Sequence, residues 1–417
     1  MTLYLWAINL GKGARSLDRC LPYQGLLHPC AYSKLFSTLK VATCETLTAQ
    51  HGVSRILVLA RRFVSRNCPL VIAPVSNFLY FCIGFTADVV GKLLQRTILS
   101  PWKTLPLILL AHYTSKGKDT ALQYPKAYQA LKVLASLAVI RRVNAWLNHR
   151  ALNNGVSDQY DWNKEVVVLT GGSNGIGKQV AHLLGNRGIK VAILDIQAPQ
   201  DALPPTVRFH TCDITSPTAI AEVAATIRTT MGEPTILINN AGICSSRTIL
   251  GSTESQTRLQ FEVNTFAHYW LTKEFLPAMV KHNHGMVVTV ASQAGYTVTP
   301  NMVDYSATKA AAIAFHEGLS AELVTRYNAP RVRTVLMTQS FVKTALIDKL
   351  TPEDTFINPL LHPETVAEKI VEQVLTGTSG HVLVPGSTGW IAKCLRGFPL
   401  WFQHRIRLDL ERLMRAD

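Results

Sequence analysis

Glu165-Val-Val-Val-Leu-Thr170-Gly-Gly-Ser-Asn-Gly-Ile-Gly177 reads as a strand, a turn and the start of a helix without a break. Val166, Val167, Val168 and Leu169 show no polar alternation, the pattern of a strand covered on both faces. Glycines follow at once, and Lys178, Val180, Ala181, Leu183 and Leu184 continue with helical spacing. Glycine at a strand-to-helix turn lets the backbone approach a pyrophosphate, whose charge is favoured at the helix N-terminus. Gly171, Ser173, Asn174, Gly175, Ile176 and Gly177 are therefore candidate dinucleotide contacts.

Downstream, apolar runs recur at helix-length intervals, which predicts a doubly wound parallel α/β sheet. The run at 190–194 ends in Asp195, near the spacing expected of an acid that binds the adenosine ribose hydroxyls. A carboxylate there repels a 2′-phosphate, and Ile196 and Gln197 bring no cation, so NAD is expected ahead of NADP. The run at 207–212 leads to Asp213, placed to accept from an adenine amino group. Strand 236–238 leads into Asn239-Asn240-Ala241-Gly242, and strand 286–290 leads to Ser292 just past its end. Ligands of doubly wound sheets bind outside the carboxyl ends of the strands.

The stretch Met302-Val-Asp-Tyr305-Ser-Ala-Thr-Lys309 opens another helix. Tyr305 and Lys309 fall on one face, with Cβ atoms about 5–6 Å apart. A phenol titrates near 10; a neighbouring cation favours phenolate and is expected to lower that value toward the range of an acid/base catalyst.

With these motifs in order, the chain resembles the short-chain dehydrogenase/reductase family over roughly residues 164–386. The carriers are the Thr-Gly-x-x-x-Gly-x-Gly turn, the Asn-Asn-Ala-Gly segment and the Tyr-x-x-x-Lys pair. Phe261-Glu-Val-Asn264-Thr, Ala267-His-Tyr-Trp270 and Phe275-Leu-Pro-Ala-Met279 are most similar to the membrane-associated retinol and 17β-hydroxysteroid dehydrogenase-like branch. The resemblance implies a Rossmann fold and four catalytic residues. Ser292 holds the substrate oxygen, Tyr305 is the acid/base, Lys309 binds the nicotinamide ribose, and Asn264 orders a water leading to the lysine. It also implies cofactor contacts from Asn240, Ala241, Gly242, Tyr305, Lys309, Val342 and Thr344, and a homodimer or homotetramer through helices that include the one bearing Tyr305. One departure stands out: after a sixth strand at 333–337 the family shows Pro-Gly, and this chain has Gln339-Ser340.

Residues 343–359 read as a substrate loop with helices of the kind that close over a site; their apolar side chains suit an apolar substrate. His282 and His284 flank a turn with no carboxylate or thiol companions, so both are read as exposed and no metal site is expected. The eight cysteines are scattered without Cys-x-x-Cys and fit a reducing compartment.

The first 160 residues differ in character. Residues 1–118 hold three acids against fourteen lysines and arginines, within a net charge of +15. The apolar run 70–90 approaches the roughly 20 residues of a bilayer span, and a shorter run occupies 105–113. Basic residues flank the first run on both sides, which suits a hairpin or surface anchor. No arginine-rich repeat or zinc-finger spacing points to nucleic acid. The expected organisation is a membrane-associated region at 1–160, the dinucleotide domain at 161–386, and a basic amphipathic tail at 387–417 with Trp390 and Trp401.

The combined expectation is an NAD(P)-dependent alcohol/ketone oxidoreductase for a retinoid, sterol or long-chain alcohol. It would sit on the endoplasmic reticulum or a lipid droplet with its catalytic domain facing the cytosol; an organelle transit segment over 1–50 would instead direct it to mitochondria. A soluble secondary-metabolism ketoreductase and a non-catalytic membrane scaffold are the rival expectations.

Overall fold

A computed structural model describes residues 86–347 and 358–411, all within one compact unit, Gly84–Asp417. Most of the apolar run 70–90, the 1–50 segment and residues 348–357 of the substrate loop lie outside the described residues.

The sheet has seven parallel strands in the order β3-β2-β1-β4-β5-β6-β7. They are β1 (Val166–Thr170), β2 (Lys190–Asp195), β3 (Val207–Thr211), β4 (Ile236–Asn239), β5 (Met286–Val290), β6 (Arg333–Gln339) and β7 (Gly380–Val384). β1, β4, β5 and β6 are buried at every position, and β1, β4 and β5 are apolar apart from Thr170, Asn239 and Thr289, as strands covered on both faces require. The chain runs outward from β1 to β3 and then crosses to β4. The crevice at the carboxyl ends of β1 and β4 is thus the topological switch point.

Two apolar layers flank the sheet. One joins Val167, Leu169, Ile193, Ile238, Val288 and Val335 to Val180 and Leu184 of α5 (Gly175–Gly185) and to Val366 and Ile370 of α10 (Pro363–Leu375). The other joins Val166, Val168, Leu237 and Val287 to three helices. These are α6 (Pro217–Thr230), α8 (Ala267–His282) and α9 (Val303–Thr325). Each fully buried aliphatic side chain in these layers is worth about 1.5–3 kcal/mol relative to exposure. A short helix α7 (Glu254–Phe261) runs into α8 through a π-turn at Glu262–Phe266.

Four helices precede the sheet: α1 (Ala87–Arg96), α2 (Pro101–Tyr113), α3 (Ser115–Gln123) and α4 (Pro125–Leu152). Proline at the first turn of α2 and of α4 sets each start, and the Thr114 hydroxyl caps α3 by accepting from Gly117 N at 3.0 Å. The sequence suggests an amphipathic connecting helix near α4. The helix buries only Ala135 and Ala138, and leaves Val133, Leu137, Ile140, Val143, Trp146 and Leu147 exposed. Trp102, Leu105, Leu107, Leu109 and Leu110 of α2 are exposed as well. Among the described residues no helix is long and apolar enough to cross a membrane.

The N-terminal helices are tied to the sheet at two places. Fully buried Arg333 donates to Asn153 O at 3.1 Å and to Val156 O at 2.8 Å, fixing the end of α4 below β6. Asp88 of α1 accepts from Gly386 N at 2.7 Å and Ser387 N at 2.9 Å. It thereby caps α11 (Gly386–Cys394), a helix followed by α12 (Leu400–Glu411).

One expectation is corrected at the amino end of the central strands, just before β1 and β5. His284 is not companionless: Asp158 Oδ2 lies 2.7 Å from its Nδ1 and Glu165 Oε1 lies 3.3 Å from its Nε2. Those carboxylates are distant in sequence, so only the fold brings them together. Among the described residues no cluster has the composition of a metal site.

Candidate functional site

At the carboxyl end of β1 the turn folds as its glycines require. Gly171 has φ +66°, and a Cβ on Gly177 would collide with Gly171 O and stand 2.6 Å from Asn240 Nδ2. That close approach leaves the first turn of α5 open to a phosphate. Asn240 Nδ2 donates to Thr170 O at 3.0 Å and to Gly171 O at 3.1 Å, while Thr170 Oγ1 accepts from the backbone of Asn240 and Ala241. The Asn-Asn-Ala-Gly segment thus clamps the turn to β4. Asp195, at the end of β2, reaches the same turn and accepts from Ser173 N at 3.1 Å. Buried Ser173 donates its hydroxyl to Gln197 O at 2.6 Å. Asp213 closes a local turn, accepting from Thr215 N at 2.9 Å and Thr215 Oγ1 at 2.8 Å. Across the crevice, the Thr344 side chain comes to 3.4 Å from where a Gly175 Cβ would stand, and Val342 is buried beside it. Ile176 borders the adjoining cavity, and Asn174 is the N-cap of α5. A glycine cradle at a helix start with an acid at the next strand end fits a dinucleotide.

The second group gathers at the start of α9. Tyr305 and Lys309 stand one turn apart and are both buried. Lys309 Nζ lies 5.7 Å from the centroid of the Tyr305 ring and donates to Val290 O at 2.9 Å. Asn264 sits in the π-turn, an interruption of the kind that collects at functional sites. Its side chain exchanges two hydrogen bonds with the Ile243 backbone, each 2.8 Å, and donates to Thr308 Oγ1 at 3.1 Å. A Cβ on Gly242 would stand 3.4 Å from both Asn264 Oδ1 and Lys309 Nζ, so this glycine keeps the two groups close. Ser292 Oγ donates to Gln339 O at 3.3 Å and accepts from Ala294 N at 3.1 Å.

The electrostatics correct the expectation for the phenol. Burial pushes Tyr305 above its ordinary range, the Cys244 thiol beside it adds to the rise, and hydrogen bonding with Ser292 pulls the other way. Burial also lowers Lys309 to about 8. Desolvation outweighs pairing because both groups are enclosed and the ammonium is turned toward Val290 O.

Ser292 and Tyr305 open into a cavity of about 340 Å³. Its far wall is made by Ile391, Ala392 and Leu395 of the α11 region and by Ile406 and Leu410 of α12. The sequence reading took 387–417 as a basic amphipathic tail; the share of these residues in the cavity had no local signal. The Gln339-Ser340 departure has a plain consequence. β6 continues to Gln339, Ser340 N donates to Val384 O at 2.8 Å, and Gln339 Nε2 donates to Ala291 O at 3.0 Å. Proline at 339 could not present that side-chain amide, so strand pairing here runs past the expected end at 337.

The fold and the turn define a dinucleotide-binding oxidoreductase. The family model described as short chain dehydrogenase matches residues 165–355. Dehydrogenase RED2 of Cochliobolus heterostrophus is 42% identical over 198 residues, 47% of this chain and 75% of that one. Estradiol 17-beta-dehydrogenase 11 of Rattus norvegicus is 35% identical over 243 residues, covering 56% and 80%. Epidermal retinol dehydrogenase 2 of Mus musculus is 31% identical over 220 residues, covering 51% and 71%. A crystal structure of a short chain dehydrogenase from Burkholderia cenocepacia in complex with NADP aligns with a TM-score of 0.51 at 26% identity, covering 59% of this chain and 99% of that one. The chain belongs to the short-chain dehydrogenase family, in its retinol and 17β-hydroxysteroid dehydrogenase-like branch. It is an oxidoreductase acting on CH–OH groups with a nicotinamide cofactor.

Proposed function

We propose that the protein interconverts an alcohol and a ketone or aldehyde on a lipid-soluble substrate at a membrane surface, with Tyr305 as the acid/base. The observation that carries this reading is the cavity in which Tyr305 and Ser292 face an apolar wall of Ile391, Leu395, Ile406 and Leu410. When bound, the nicotinamide accepts or supplies the hydride. Ser292 holds the substrate oxygen; Tyr305 takes the hydroxyl proton as tyrosinate in oxidation and gives it as the phenol in reduction. Lys309 and Asn264, linked through Gly242 and Thr308, hold the electrostatic surroundings of the phenol. Gly171, Ser173, Asn174, Gly175, Ile176 and Gly177 cradle the pyrophosphate, Asp213 faces the adenine, and Asn240, Ala241, Gly242, Val342 and Thr344 frame the nicotinamide side. Asp195, followed by Ile196 and Gln197 with no cation, supports NAD over NADP.

The substrate class rests on the apolar cavity and on two exposed aromatic faces. Trp102 is 82% exposed on α2, and Trp401 is 74% exposed on α12. Exposed apolar patches of this kind, rimmed by lysines and arginines, suit an anionic membrane or lipid-droplet surface. With residues 1–160 as a membrane-associated region, the catalytic domain 161–386 and tail 387–417 would face the cytosol at the endoplasmic reticulum or a droplet. Exposed Phe266, Tyr269 and Val324 beside the α8–α9 pair support a homodimer there.

The test is a panel of retinoid, steroid and long-chain alcohols with NAD, run on the wild type and Tyr305→Phe. The reading requires turnover of at least one apolar alcohol by the wild type and its loss in the variant.

A further inference from the structure

Gln339 closes β6 and is 7% exposed. It stands two residues beyond Met337, on the sheet face that Met337 shares with Val288 and Val290. It lines the cavity together with Ser292, Tyr305 and Val342. Its side-chain amide is only half used. Nε2 donates to Ala291 O at 3.0 Å; a carbonyl can only accept, which fixes the NH2 end there and makes Oε1 the other end. Ala291 is not part of the cavity lining, so the amide is anchored behind the wall and its acceptor is the end left for the cavity. Oε1 is buried and has no hydrogen-bond partner among the described residues.

The donors close by are committed elsewhere. Ser292 Oγ donates to the Gln339 backbone carbonyl at 3.3 Å, and Tyr305 is hydrogen-bonded with Ser292. Ser340 N donates to Val384 O at 2.8 Å, and Ser340 Oγ to Asn358 Oδ1 at 2.6 Å. Gln293 Nε2 is shared between Val384 O at 3.1 Å and Pro385 O at 3.4 Å. A buried acceptor that nothing reaches is costly. Water can serve it before a substrate binds. An apolar alcohol that fills the cavity expels that water, and Oε1 is then satisfied only by a donor that the substrate itself brings.

The cavity narrows what that donor is. Among the described residues no charged side chain lines it, so an ammonium would enter without a counter-ion, whereas a hydroxyl enters at little cost. Ser292, which holds the reacting oxygen in the proposed reaction, is bonded to the backbone of Gln339 itself. The second hydroxyl therefore stands close to the reacting carbon. We propose that Gln339 is a specificity-determining residue: its Oε1 accepts a hydrogen bond from a second substrate hydroxyl, on the carbon next to the reacting one or one further. The preferred substrates are then apolar diols in oxidation and hydroxy ketones in reduction. The family's proline at this position has no side-chain acceptor, so the device belongs to this chain. The inference deepens the reading of the cavity as a site for an apolar alcohol and rests on it.

The experiment compares the full chain with Gln339→Met, which keeps the bulk and removes the amide, and with Gln339→Asn, which withdraws the amide by one methylene. The probes are dodecan-2-ol, dodecane-2,3-diol and dodecane-2,4-diol. Each is titrated into protein loaded with NADH, a complex in which no alcohol can be oxidised, and kcat/KM with NAD is measured on the same three. The expected result is that the wild type favours one of the diols over dodecan-2-ol by about tenfold in both readouts. That ratio falls to about one in Gln339→Met and shrinks in Gln339→Asn, while NAD affinity is the same in all three proteins. Equal binding of diols and dodecan-2-ol by the wild type overturns the proposal, and this comparison needs no variant. So does a folded Gln339→Met that keeps the preference; if it also binds NAD more weakly, Oε1 serves the nicotinamide amide instead. The NADH titration does not depend on turnover. Equal binding therefore strikes this inference alone, whereas failure of all three alcohols to bind strikes the apolar-alcohol reading and the inference with it.

Discussion

Lys309 occupies a position that penalises its charge. It is 3% exposed, and burial brings its pKa down to about 8 from near 10.5. Below pH 8 both folded and unfolded chains hold the proton, and the folded chain bears the full cost of a buried charge. Between pH 8 and 10.5 the unfolded chain holds the proton and the folded chain does not, so Lys309 makes stability rise with pH across that window. The shift corresponds to roughly 3 kcal/mol, from which the lost hydrogen bond to Val290 O must be subtracted. Lys309→Met should therefore be inactive yet more stable at pH 7 by on the order of 2 kcal/mol. Thermal unfolding from pH 7 to 10.5 checks this, with the gap between the two proteins narrowing above pH 8. At the cofactor end, Asp195→Ser should raise kcat/KM with NADP relative to NAD by about tenfold, because a repelling carboxylate is gone. Both cofactors should also bind less tightly, since Asp195 accepts from Ser173 N; initial rates with each cofactor decide it.

At the scale of elements, strands and turns were legible where local sequence determines them. β1 and the glycine turn needed only residues 165–177, and the Tyr305 and Lys309 spacing needed one helical turn. What stayed hidden depends on chain segments far apart. His284 meets Asp158 and Glu165 across 126 and 119 residues, and Asp88 meets Gly386 across 298. Neither pairing leaves a trace in spacing or composition. β6 outran its expected end with Gln339 donating its side-chain amide to Ala291 O, a bond that the family's proline cannot make. The pKa of Tyr305 was misjudged because spacing reveals a neighbouring cation but not the burial that outweighs it. The Asp88 cap carries its own prediction. Asp88 joins a helix of the N-terminal region to α11, which walls the cavity through Ile391 and Ala392. Removing a capping carboxylate costs about 0.5–2 kcal/mol. Asp88→Ala should raise KM for apolar alcohols more than it lowers kcat, as the wall of the cavity loosens. Steady-state kinetics beside an unfolding curve separate that effect from general destabilisation.

For the whole molecule, charge and exposed apolar surface point the same way. The net charge of +15 is concentrated toward the N-terminal region, and bulky residues of α2, α4 and α12 are exposed. An anionic surface answers both features, the apolar residues supplying depth and the cations attraction. In flotation with vesicles containing phosphatidylserine, the full chain should rise with the lipid. Combined Trp102→Ala and Trp401→Ala substitution should leave a larger share behind, most visibly at high salt. Equal recovery of both proteins would remove those two faces from the membrane account.

Tyr305 is proposed to transfer the substrate proton in an apolar cavity walled by the C-terminal helices. The most direct test is the rate of NADH formation from an apolar secondary alcohol by wild type and Tyr305→Phe, with NAD binding measured on both. The variant should bind NAD as the wild type does and lose at least about a hundredfold in kcat. Equal rates in the two proteins would contradict it.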